Sequence, residues 1–93
     1  MSVLEFWPDY GPGPLWTHDG EPVDLASLGL DGSLADEVGT WHAGYAEDKV
    51  PTEGPGDPAW LSEGKRLLGR IRAALGDDHQ VVVTEPWWDE PPT

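Results

Sequence analysis

Apolar and polar positions alternate in two different periods along this chain, and together they predict a short series of elements. Val3-Leu4-Glu5-Phe6-Trp7 reads as a strand that Pro8 stops, because proline brings no N–H to a ladder. Leu15-Trp16-Thr17 and Glu21-Pro22-Val23 flank His18-Asp19-Gly20, and Asp-Gly between such runs is a hairpin signal. Pro22 confines the second of those strands to an edge. Asp24 is placed to cap one helical turn over Leu25–Leu28, which Gly29 closes.

The period then changes to that of a helix. Asp31 or Ser33 caps a first helix, in which Leu34, Val38, Trp41 and Tyr45 form one narrow stripe. Residues 47–57 read as a loop. A second helix has Asp57 as cap, Pro58 in its first position and Gly76 just past its last apolar residue. Its stripe holds Trp60, Leu61, Gly64 and Leu67, then Leu68, Ile71, Ala74 and Leu75. Gly64 stands inside that stripe, where the missing side chain would let the first helix approach closely. Asp77-Asp78 turn the chain into a β-branched strand over His79–Glu85. The order strand, hairpin, helix, helix, strand predicts an α+β fold, two antiparallel helices packed on a small sheet. Residues 1–85 then form one small domain, and 86–93 an acidic tail carrying Trp87 and Trp88. Local pattern leaves open which strand pairs with which.

Composition changes the picture in one respect. Leu, Ile, Val and Phe make up only 19 of 93 residues, near the level at which a charged chain stays unfolded. Six tryptophans offset this, since each buried aromatic removes about 150–250 Å² from water. A small folded core follows, with Trp supplying much of its area. The chain has no Cys, which excludes disulfides, thiolate zinc sites and thiol nucleophiles. No apolar run approaches the roughly 18 residues of a membrane span. The start, Met1-Ser2-Val3-Leu4-Glu5, lacks the basic and apolar regions of a secretory signal, so a cytoplasmic protein is expected.

Charge changes it more. Five bases against 18 acids give a formal net charge of −13. Residues 1–48 carry ten of those acids and no Lys or Arg at all. Phosphate would be repelled, which argues against direct binding of nucleic acid or an anionic lipid surface. Clustered on one face, the same charge would steer a basic protein partner.

Candidate chemistry is sparse. His79 follows Asp77 and Asp78, but side chains alternate along a strand, so the three cannot share one metal ion. His42 borders the first helical stripe and is expected to pack, and His18 sits in a turn facing water. Gly11-Pro12-Gly13-Pro14 is glycine-rich, yet its prolines remove the amides a phosphate loop needs. Adjacent carboxylates such as Asp36-Glu37 and Asp89-Glu90 diverge rather than face a common cleft. No catalytic residue, metal site or cofactor is therefore expected. Aromatics among acids and prolines are also how a protein-binding surface looks. The expected partner-binding set is Asp9, Tyr10, Trp16, Asp19 and Glu21, then Asp36 and Glu37, then Trp87 and Trp88. Neighbours on an extended chain diverge, so one of Trp87 and Trp88 should pack back and the other face a partner.

The landmarks Asp9-Tyr10-Gly11, Pro14-Leu15-Trp16, Val23-Asp24-Leu25 and Leu28-Gly29-Leu30, with Trp41, Tyr45, Trp60, Glu63, Gly64 and Leu67, make up a larger pattern. Over residues 7–75 it resembles small acidic proteins of high-GC actinobacteria that have no assigned activity. The Pro-Trp-Trp tail departs from them. The resemblance implies no catalytic residue. In size and charge the chain also looks like immunity proteins, which neutralise toxin domains. The expected function is a non-catalytic module capping a basic toxin or nuclease-like partner. The alternatives are a small-molecule or sugar-binding module using exposed Trp, and a structural subunit of a larger complex.

Overall fold

The computed structural model, which describes residues 2–52 and 54–90, joins the two ends of the chain in one sheet. Strand β1 (Ser2–Phe6) is central, with β2 (Leu15–Thr17) antiparallel on one side and β3 (His79–Val83) parallel on the other. Leu4 lies beside Thr17 and Val81, and Phe6 beside Leu15 and Val83. Alternation then sends Leu4, Phe6, Leu15, Val81 and Val83 to one face, and Val3, Glu5, Trp16 and Val82 to the other. Helices α1 (Gly32–Ala43) and α2 (Pro58–Leu75) bury their stripes against the first face. Trp41 meets Trp60, while Glu37, one turn earlier, reaches Arg66 and Arg70, so the helices run antiparallel. The fold is the small α+β arrangement that the pattern predicts.

Side-chain caps fix where the helices begin. Asp24 accepts from the Ala26 N–H at 3.0 Å, and Asp31 from that of Ser33 at 2.8 Å. Asp57 accepts from both Ala59 and Trp60, at 3.0 and 3.1 Å. Each cap satisfies N–H groups that have no partner within the helix.

Four expectations need correction. The hairpin shrinks to one isolated bridge between Trp16 and Pro22. The Thr17 N–H donates to the Glu21 carbonyl at 2.8 Å and the Val23 N–H to that of Leu15 at 2.9 Å, while Pro22, which has no N–H, leaves its far side without a donor. The last strand ends at Val83, and Ala74 is exposed at the edge of its stripe. Residues 86–90 are not a tail. Pro86–Trp88 forms a 3₁₀ turn, and Trp88 is only 2 % exposed, with its ring edge-on to Phe6 at 5.2 Å. Residues 91–93 lie outside the described residues.

Gly64 explains how Trp88 enters. A Cβ there would stand 2.4 Å from the Trp41 ring and 2.9 Å from that of Trp88. The absent side chain makes room for two indoles as well as for a helix. Trp41 also stacks on Trp60 at 4.3 Å, and the pair exchange hydrogen bonds. The Trp41 indole donates to the Trp60 carbonyl at 2.8 Å, and the Trp60 indole to the Trp41 carbonyl at 3.1 Å. Packing and polar satisfaction are thus met by the same two rings.

Candidate binding surface

All five bases are held in ion pairs with carboxylates. Lys49 pairs with Asp57 at 3.1 Å, Lys65 with Asp89 at 2.8 Å, and Arg72 with Glu90 at 2.6 Å. Arg66 bridges Glu63 and Glu37, and Arg70 joins it on Glu37. The Arg70 and Arg66 guanidiniums hold the Glu37 carboxyl below its ordinary range. Four of these bases stand on α2. By contrast, among the described residues every acid that precedes Glu37 lacks a Lys or Arg partner. The bases are thus all taken up on or beside α2, and the acids of β1, the turns around β2 and the start of α1 keep their charge unpaired by Lys or Arg.

The expected site residues differ in how far they reach water. Asp9 and Tyr10 are exposed on the loop after β1. Tyr10 sets its ring edge-on to Tyr45 at 4.9 Å, and its hydroxyl accepts from the Glu47 N–H at 3.2 Å. Asp19 and Glu21 are exposed in the turn after β2, and Asp36 is exposed on α1. Glu37 is occupied by its two arginines. Trp16 and Trp88 are buried and offer nothing to a partner. Trp16 lies under Trp7 at 3.9 Å, nearly parallel, and donates to the Trp7 carbonyl at 2.8 Å. Of the tail pair, Trp88 is the one that packs back, and Trp87 is half-buried with its indole N–H unbonded. Exposed tryptophan, on which the sugar-binding alternative leaned, is absent among the described residues.

Sequence reasoning missed the helix-free face of the sheet. Val3, Glu5, His18 and Val82 line a shallow hollow there. Val3 is 42 % exposed, and among the described residues it and Tyr10 are the two large apolar side chains open to water. The Glu5 side chain is 19 % exposed, accepts from the Trp7 indole at 3.1 Å, and stands 3.6 Å from the His18 ring. Alternation of Val3, Glu5 and Trp7 along β1 carried the signal, but only pairing with β3 shows that the face is shared with Val82.

The three histidines are dispersed. His42 is buried, and its Nε2 accepts from the Asp9 N–H at 3.2 Å, which only a neutral ring can do. Burial pushes its pKa below the ordinary histidine value, with the Asp9 carboxylate working the other way. His79 touches Ser2, and His18 is open to solvent. Among the described residues no group of three or more His, Cys, Asp or Glu is placed to hold a metal ion. Glu85 is half-buried and pushed upward by burial, accepting only from the Trp88 indole at 3.1 Å. Among the described residues, no helix is long and apolar enough to cross a membrane. No protein-family model matches the chain, and no curated protein is significantly similar to it.

Proposed function

We propose that this protein is a non-catalytic acidic module that binds a basic protein partner, as an immunity protein or inhibitor of a nuclease-like toxin would. One observation carries the reading. Every Lys and Arg is neutralised on or near α2, and the carboxylates of residues 5–36 stand without Lys or Arg partners. Such a surface repels phosphate and attracts clefts built to hold it. Acid set against such a cleft gives fast association and competes with the cleft's natural ligand. A stacking ligand site would instead need an open indole, and the tryptophans are buried or half-buried.

The test is to identify the partner by affinity capture and to measure association kinetics at low and high ionic strength. A basic partner whose on-rate falls as salt rises supports the reading, since steering raises on-rates by about 10–10³. A neutral or acidic partner, or an on-rate indifferent to salt, overturns it.

A further inference from the structure

The sheet has one face covered by helices and two closed edges. At the β3 edge, the Arg72 guanidinium donates to the Val81 carbonyl at 2.7 and 3.1 Å and is itself held by Glu90. At the β2 edge, the Trp16–Pro22 bridge presents a residue with no N–H. Each edge is thus interrupted at one position, which breaks the regular ladder a partner strand would extend. The uncovered face remains.

That face is apolar around one carboxylate. Val82 lies directly beside Glu5 on the neighbouring strand, and Val3 lies two residues before it on the same side. Trp7, stacked over Trp16, closes one end. Glu5 sits among these groups with the Trp7 indole as its hydrogen-bond donor and no Lys or Arg paired to it. Four of the five bases stand on α2, behind the covered face. The register of β1 with β2 and β3 sets the Thr17–Glu21 turn and the Asp77-Asp78 turn at the same end of the sheet, which adds acid to the rim. A carboxylate set between aliphatic side chains, beneath an acidic rim, is complementary to a cation flanked by apolar groups.

We infer that the helix-free face of the sheet, centred on Glu5, is the docking surface for an apolar segment of a basic protein bearing a lysine or arginine. The inference rests on the acidic-module reading above and specifies where the partner sits. The cation meets the Glu5 carboxylate, and an aliphatic side chain two residues away covers Val3, matching the roughly 6.6 Å step between alternate strand positions, while Val82, 9 % exposed, borders Glu5 on the neighbouring strand.

The probe is a synthetic peptide with valine, lysine and valine at alternate positions, with polylysine as the second ligand. Both are titrated at low ionic strength and followed by amide chemical shifts. The expected result is that peptide shifts centre on Val3, Glu5, His18 and Val82. Glu5→Gln keeps the acceptor for the Trp7 indole, and Val3→Lys changes an exposed side chain, so both should fold. Each should weaken peptide binding about tenfold or more, the scale on which charge-assisted contacts act. Asp48→Asn removes an equal charge from an exposed position outside this face and should change it less than twofold. Binding that maps to the helices, or that Asp48→Asn weakens as much as Glu5→Gln, overturns the docking surface and leaves the acidic-module reading standing. No shifts with either the peptide or polylysine overturns both.

Discussion

The two faces of the sheet divide the protein's work. The inner face is dry: Phe6, Leu15, Ile71 and Val83 are wholly enclosed, and the Trp41, Trp60 and Trp88 rings fill the space between the helices. The outer face has two stacked indoles, two valines and a carboxylate around a shallow hollow. In so small a domain the apolar area that opposes chain entropy is concentrated on one side. Substitutions at exposed outer positions such as Val3 are therefore free to serve recognition, and those on the inner side are not.

The largest expected effect breaks the chain after Glu85. Removing Trp88 empties a buried site and removes the Glu90 partner of Arg72, at a cost of about 3–5 kcal/mol or more. A melting temperature close to that of the full chain would return residues 86–90 to the status of a tail. Leu68→Ala and Ile71→Ala should each cost about 2–5 kcal/mol, read as urea midpoints. Gly64→Ala should cost about 1–3 kcal/mol by driving a methyl into two indoles. Pairing it with Trp88→Phe should give a non-additive result, because the two sites share one space.

A smaller effect depends on pH. The buried His42 ring binds its proton less readily than in the unfolded chain. Its contribution to stability is full above the unfolded histidine pKa of about 6.5, and declines as pH falls toward the lower folded value. Going from about pH 7.5 to about pH 5.5 should therefore lower the melting temperature more for the wild type than for His42→Gln, which does not titrate. Equal shifts would mean that His42 is not the sensor. Smallest of all, Val3→Lys and Glu5→Gln should change stability by no more than about 0.5 kcal/mol. A loss as large as that of Ile71→Ala would erase the distinction between the faces.

Legibility in the sequence followed the range of the interaction. Caps act over two or three residues, so Asp24 and Asp57 with their turns could be read directly, and the first helix's cap narrowed to Asp31 or Ser33, of which Asp31 serves. Helical stripes act over one turn, and Leu34, Val38, Trp41, Leu67 and Ile71 are buried as their spacing requires. Trp88 was not legible as core, because its place is made by Phe6, Trp41 and Gly64 from three other elements. Trp16 belongs to a protein-binding composition but is covered by Trp7, nine residues earlier in the chain. The asymmetry of charge was readable. Its assignment to faces needed the ion pairs of α2, and the Glu5 hollow needed the pairing of β1 with β3.

That pairing also sets an order of events in time. β1 and β3 match Ser2 with His79, so the central strand must wait for residues 77 positions later before its second neighbour exists. While the chain is being synthesised, β1 has only the three residues of β2 to pair with, and a lone short hairpin is marginal in water. The helices can form locally, but the sheet they pack on is incomplete until β3 has emerged. Closing so long a loop before any reward is received is the feature that slows two-state folding. The sheet is therefore completed only after nearly the whole of the described chain has been synthesised.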